Sequence, residues 1–286
     1  MEVGFRLVDV FTETPFRGNR LCVVPDPPAE LSDEEMRMLA LETNFSETTF
    51  VTDSGPDGYA MRIFTPDEEL PFAGHPTLGT AFTLASEGRT STRTIQTTAT
   101  GETPVEVDLD RGFAWMTQPP PAFGPEVDDR RTAAAAASLS AHDLHPDLPP
   151  QVVSTGLPTL LVPVRDEVTL RGAERIGSGC RRAAGAVGAA CLYLFAIRGH
   201  GDVVARMFDA SFGIGEDPAT GSAAGPLGVY LSVRGLAGMP GRAVIAQGEQ
   251  VGRPSFLHLE VRSFGDGWAV RVGGGVRPVG EGVFRL

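Results

Sequence analysis

The pattern E-x-P-x-x-G occurs twice in this chain, as Glu69-Leu70-Pro71-Phe72-Ala73-Gly74 followed by His75, and as Glu216-Asp217-Pro218-Ala219-Thr220-Gly221 followed by Ser222. Each copy runs into small and apolar residues at helical spacing: Leu78, Ala81, Phe82 and Ala85 after the first, Ala224, Leu227, Gly228 and Leu231 after the second. Pro76 suits a first helical turn, and Gly88 and Gly235 stop the two runs. The spacing predicts one helix starting at His75 and an equivalent one at Ser222.

The repeat extends upstream. ETTFVTDSGPDGYAMRIF (47–64) and CLYLFAIRGHGDVVARMF (191–208) have equal length, and both end in R-x-F. The offset is 144 residues at the arginines (62 to 206) and 147 at the glycines (74 to 221), so the second copy carries a three-residue insertion. A duplicated supersecondary unit predicts two similar lobes related by a pseudo-twofold, with the two helix starts facing each other across a cleft. The 286 residues are enough for two domains. Residues 119–150, with a proline run, an alanine run and HPDLPP, are the expected crossover. The expected lobes are 1–118, completed by 276–286, and 119–275.

Local patterns fill in the first lobe. Val3, Phe5 and Leu7 alternate as in a strand, pairing with Leu21, Val23 and Val24 after a glycine turn at Gly18-Asn19. Ser32 and Glu35 form a capping box ahead of Met36, Leu39, Ala40 and Thr43. Residues 46–51 and 60–64 read as a hairpin around the turn-rich DSGPDG.

Composition excludes several functions. With 36 acidic against 24 basic residues the net charge is -12, which repels a phosphate backbone and argues against nucleic acid as a partner. No lysine is present, which removes pyridoxal Schiff bases, lysine aldolases and P-loops. Cys22, Cys180 and Cys191 are odd in number and widely spaced, and His142 and His145 are the only close histidine pair, so neither a disulfide framework nor a metal site is expected. A 42% hydrophobic content, charges at Glu2, Arg6 and Asp9, and the lack of any 18-residue apolar run point to a soluble cytoplasmic protein without a membrane span.

Each motif places glycine at a helix N-terminus, where backbone N–H groups and the macrodipole attract an anion. One such start is more often a tight turn with a cap; two in the same context suggest a carboxylate clamp built from Gly74, His75, Gly221 and Ser222. The nearby acids are Glu47, Asp67, Glu68, Glu69, Glu216 and Asp217. Glu47 stands among uncharged residues inside a predicted strand, where desolvation raises a carboxyl pKa and suits proton shuttling; an exposed strand edge is the equal alternative. Asp217, beside Pro218, also reads as a turn opener.

The segments NFSETTFV, IFTPDEELPFAGHPTLGTA and GIGEDPATGSAAGPLGVYL, with FTETPFRGN near the start and GRPSFLHLEV near the end, resemble the phenazine-biosynthesis PhzF family along essentially the whole chain. The resemblance implies an α+β, diaminopimelate-epimerase-like fold: two pseudo-symmetric lobes, each a rolled β-sheet around a central helix, with the site between them. Its best-understood members isomerise trans-2,3-dihydro-3-hydroxyanthranilate without metal or organic cofactor. The family's catalytic glutamate, histidine and aspartate match Glu47, His75 and Asp217; its serine matches Ser222, and Asn19 in FRGN joins Gly74, His75, Gly221 and Ser222 as a substrate-binding candidate. Related racemases carry two cysteines where this chain has Ala73 and Ala219, which disfavours two-thiol chemistry. Arg20 and Cys22 depart from the family's FxGNPLAVV; Arg20 is either a solvated turn residue or a group meeting a second anion in the cleft.

These readings lead to a cofactor-independent isomerase, a homodimer by family resemblance, that moves a double bond in a small conjugated carboxylic acid in secondary metabolism. The alternatives are an amino-acid epimerase or racemase of the same fold and a non-catalytic protein that binds a small acid.

Overall fold

In the computed structural model, which describes residues 1–210, 213–265 and 267–286, the chain divides into two units, Met1–Thr117 with Gly273–Leu286, and Gln118–Val272. The first is built from β1 (Glu2–Val10), β2 (Asn19–Val24), α1 (Asp33–Thr43), β3 (Glu47–Gly55), β4 (Gly58–Phe64), β5 (Glu69–Leu70), α2 (Gly74–Ser86), β6 (Arg93–Thr98), β7 (Gly101–Asp108) and β8 (Phe113–Thr117). The second contains β9 (Ala122–Glu126), α3 (Arg130–Ala135), β10 (Gln151–Ser154), β11 (Thr159–Pro163), α4 (Glu167–Gly172), α5 (Gly177–Gly185), β12 (Cys191–Gly199), β13 (Asp202–Asp209), β14 (Glu216–Asp217), α6 (Gly221–Val233), β15 (Gly241–Gln247) and β16 (Ser255–Phe264). Strand β17 (Gly267–Arg285) begins in the second unit and ends in the first.

In the first unit β1, β2, β3, β4, β6, β7, β8 and the end of β17 pair in succession, and β17 returns to β1, closing an eight-strand ring. The β2–β3 and β4–β6 pairs are parallel and the helices α1 and α2 make their crossovers, as parallel pairing requires. Helix α2 is buried from Gly74 to Ala85, which is why its sequence is apolar or small on every face. Gly79 has no room for a side chain: a Cβ there would lie 2.6 Å from Leu21 and 2.9 Å from Val10. On the outside α1, opened by the Ser32–Glu35 capping box, packs Met36, Leu39 and Ala40 against Phe50 and Phe64.

The second unit repeats this path. β11 and β12 are parallel, β12 and β13 form a hairpin, α6 crosses to the parallel pair β13–β15, and β16 returns antiparallel. Even the registers match: Thr48 pairs with Phe64 as Leu192 pairs with Phe208, and Phe64 with Glu69 as Phe208 with Glu216. The three extra residues lie in 209–215, which stands where the first copy has 65–68. Helix α6 is buried from Gly221 to Ser232. The duplicated R-x-F and E-x-P-x-x-G signatures are partners: Arg62 grips Glu69 through two 2.7 Å bonds, Arg206 grips Glu216 at 2.8 and 2.7 Å, and the guanidiniums lie 5.0 and 4.9 Å from the rings of Phe64 and Phe208.

Two local expectations are corrected. Residues 119–150 are more than a connector: they include β9, which pairs antiparallel with β10, and their alanine run forms only the short α3. The β1–β2 connection is an eight-residue loop, 11–18, rather than a tight glycine turn, and Asn19 is already the first residue of β2. No helix among the described residues is long and apolar enough to cross a membrane.

Candidate active site

The first unit brings Asn19, Glu47 and His75 together. Strands β2 and β3 run parallel with Leu21 opposite Glu47, so their N-terminal ends, carrying Asn19 and Ser46-Glu47, lie side by side. Helix α2 begins beside them and presents His75 from its first turn. Glu47 is 7% exposed and His75 3%, which rules out the exposed-edge alternative for Glu47. His75 Nε2 lies 3.4 Å from Glu47 Oε2 and 3.3 Å from the main-chain oxygen of Arg20, while Nδ1 lies 3.2 Å from Asn19 Nδ2. Ser46 Oγ donates to Asn19 Oδ1 at 2.9 Å.

This pattern fixes the proton on the imidazole. The Arg20 carbonyl only accepts, so Nε2 carries the hydrogen that faces it, and in a neutral ring Nδ1 is then the acceptor for the Asn19 amide. The ring is neutral: burial pushes the His75 pKa down to about 3, against the opposing pull of the Arg20 carbonyl. The Glu47–His75 approach is therefore a close contact beside a neutral ring, not an ion pair. Arg20 contributes its backbone oxygen here, while its exposed side chain lies 4.7 Å over the Phe45 ring.

At the helix starts the two units resemble each other. The α2 N-cap, Ala73, is extended and has no side chain able to cap, and Pro76 contributes no N–H. The α6 N-cap, Thr220, also makes no side-chain cap, because its hydroxyl is bonded to Asp217 Oδ2 at 2.6 Å. Gly74 and His75, and Gly221 and Ser222, thus open helices without side-chain caps. Asp217, 5% exposed, is held by its backbone: Gln247 Nε2 donates to its main-chain oxygen at 2.8 Å and to Thr220 Oγ1 at 3.0 Å, while Tyr193 donates to Gln247 Oε1 at 2.7 Å. Ser222 is buried in the first turn of α6.

Laid on one another, the two copies differ at the candidate residues. Glu47 corresponds to Cys191, each opening the strand of its unit, and His75 corresponds to Ser222; Asp217 occupies the position of Leu70. Buried Cys191 contacts Thr159 Oγ1 and burial pushes its thiol up to about 12; the same cause sends Cys22 to about 12 and raises Cys180. These thiols stay protonated at neutral pH. Ala73 and Ala219, both buried, have nothing to ionise. Of the other nearby acids, Glu69 and Glu216 belong to the repeated ion pairs and Asp67 and Glu68 are exposed. Among the described residues no three His, Cys, Asp or Glu side chains lie close enough together to hold a metal ion.

Sequence reasoning missed Ser46, Tyr193 and Gln247. Ser46 had a signal, adjacency to Glu47. Gln247 had none, since only the placement of β15 beside β13 brings it to Asp217.

Comparisons with known proteins agree with this architecture. A family model described as phenazine biosynthesis-like protein, PhzC-PhzF, matches residues 8–282. An uncharacterized isomerase of Deinococcus radiodurans is 36% identical over 97% of this chain and 93% of its own length. A trans-2,3-dihydro-3-hydroxyanthranilate isomerase of Pseudomonas chlororaphis is 33% identical over 91% of each. The solved structure of a predicted epimerase from Pseudomonas aeruginosa superposes with a TM-score of 0.86 at 36% identity, covering 99% of both chains.

Proposed function

Because this chain belongs to the PhzC-PhzF family of phenazine biosynthesis-like isomerases, and is itself an isomerase of the diaminopimelate-epimerase-like fold, we propose that it shifts a double bond by proton transfer in a small conjugated carboxylic acid. The substrate we propose is cyclic and dihydrohydroxyanthranilate-like, the reaction needs no cofactor, and the enzyme works as a cytoplasmic homodimer in secondary metabolism.

The observation that carries this reading is a buried Glu47 whose Oε2 lies 3.4 Å from Nε2 of a His75 ring held neutral. A neutral ring at this distance packs against the carboxyl group without pairing it with a full positive charge. Glu47 removes a proton from an sp3 carbon and returns one to a distant carbon of the conjugated system, so one C–H bond breaks, another forms, and the double bond moves between them. Charge builds on the substrate carboxylate during transfer. Each helix start taken by itself, Gly74-His75 or Gly221-Ser222, offers uncapped amides suited to that charge, and each well-aimed donor contributes about 2.7 to 4 kcal/mol. Asp217, its carboxylate oriented by Thr220, accepts a substrate donor such as an amino group. Asn19 remains a candidate substrate contact.

The test is incubation in D2O with trans-2,3-dihydro-3-hydroxyanthranilate and related cyclic dienoic and amino acids. Deuterium at a ring carbon conjugated with the carboxylate, with a changed ultraviolet spectrum, supports the isomerase. Exchange confined to Cα with inversion would make it a racemase, and tight binding without exchange would make it a binding protein.

A further inference from the structure

The side chains behind His75 form a directed chain. Ser46 Oγ donates to Asn19 Oδ1 at 2.9 Å, Asn19 Nδ2 donates to His75 Nδ1 at 3.2 Å, and His75 Nε2 faces Arg20 O at 3.3 Å and Glu47 Oε2 at 3.4 Å. Asn19 is 1% exposed. Reversing the Asn19 amide would place its oxygen against Nδ1 and draw the ring proton there. Nε2 would then turn a lone pair toward the Arg20 carbonyl, an acceptor with nothing to donate. Only the observed direction satisfies both ends of the ring, and it also gives Asn19 Oδ1 a donor in Ser46.

We propose that Asn19 and Ser46 are positioning residues that lock His75 as its Nε2–H tautomer, bonded to Arg20 O, and so hold the ring in place against Glu47. This rests on the reading of Glu47 as the proton carrier, and it moves Asn19 from contacting substrate to acting through His75. The parallel β2–β3 pair supplies the rigidity, because Asn19 and Ser46 sit at its N-terminal end with Glu47 as the next residue. The other copy has no such chain: Ser222 stands in the place of His75 and Cys191 in that of Glu47. The repeated scaffold carries the imidazole–carboxyl pair in one copy only.

Two measurements test the proposal. Two-bond proton–nitrogen correlation spectra of the full chain, with ¹⁵N-labelled histidine, read the tautomer directly and need no turnover. In the wild type His75 is expected as Nε2–H; an Nδ1–H ring would overturn the proposal. Asn19→Asp places a carboxylate against Nδ1 and is expected to turn that nitrogen into a donor, giving Nδ1–H or imidazolium. An unchanged ring in a folded Asn19→Asp protein would also overturn it. Kinetically, Asn19→Ala is expected to lower kcat about 10- to 100-fold, the usual cost of losing a group that orients a functional imidazole, with KM within about twofold. Ser46→Ala should fall in the same direction by less, and Ser46→Thr, which restores the hydroxyl, should recover it. A rise in KM with kcat unchanged for Asn19→Ala would return Asn19 to substrate binding. Should Glu47→Gln keep full activity while the tautomer is as expected, the base assignment fails and the positioning chain stands.

Discussion

Arg206 holds Glu216 through two bonds of 2.8 and 2.7 Å, and its remaining Nη1 donates to the carbonyls of Leu170, Arg171 and Ala173. This is the second edition of Arg62 with Glu69, and the two differ in burial: Arg206 and Glu216 are 7% and 14% exposed, Arg62 and Glu69 28% and 42%. The duplicated signature that suggested a site is therefore in part a structural clamp that ties the strand hairpin to the start of the central helix.

Burial should separate the two clamps. Arg206→Ala strands a largely buried carboxylate and three carbonyl-facing positions, and is expected to cost about 3 to 5 kcal/mol of stability. Arg62→Ala should cost about 1 kcal/mol or less, since water reaches its partner. Urea unfolding of both variants measures the difference, and equal losses would refute it.

His75 should make the fold acid-sensitive in a defined window. Its unfolded pKa is near 6.5 and burial lowers the folded value to about 3, so between these limits the unfolded chain binds a proton that the folded chain refuses. Stability from this group is intact above pH 6.5 and falls as pH drops toward 3, by up to about 1.4 kcal/mol per unit. His75→Gln should flatten that segment of the stability curve. The His75 resonances should also stay unchanged from pH 8 to 5; a midpoint near 6.5 would contradict the buried, neutral ring.

Turnover should survive exhaustive dialysis against EDTA. The proposed proton transfer uses Glu47 and backbone amides only, and no residue assigned to it is asked to hold a metal. Loss of activity with EDTA and recovery with a divalent ion would remove that mechanism.

Much of this was legible in the sequence because duplication writes the topology twice. The equal 18-residue segments at 47–64 and 191–208 became matching hairpins with the same register, and both helix starts fell within one residue of their expected positions. Glu47 and His75 were visible as a carboxyl and an imidazole in uncharged, strand-like and helix-starting contexts. The acids were harder to sort, because only the fold shows that Glu69 and Glu216 are answered by arginines two strand residues before Phe64 and Phe208. Strand β9 was hidden by Pro125, the proline run before it and its exposed faces, which lack the alternation that marks a strand. The direction of hydrogen bonding through Asn19 depends on atoms brought together from residues 19, 20, 46, 47 and 75, and no spacing in the sequence encodes it.

The sharpest expectation concerns the separation of base from clamp. Glu47→Gln keeps the size of the side chain and one acceptor but cannot take up a proton at neutral pH. It should lower kcat by about 10²- to 10⁴-fold, the usual share of a general acid–base group, while substrate affinity stays nearly constant. Ser222→Ala acts on the other motif, at the first turn of α6: it keeps the backbone N–H and removes the hydroxyl, for which the proposed contact is a carboxylate present in both ground state and transition state. It should weaken binding and turnover together. Isothermal titration with a non-reactive cyclic acid, paired with steady-state kinetics, resolves the two signatures. If Glu47→Gln kept more than about a tenth of wild-type kcat, well short of what a general base supplies, the proton shuttle would pass to Asp217, whose carboxylate is buried and oriented by Thr220.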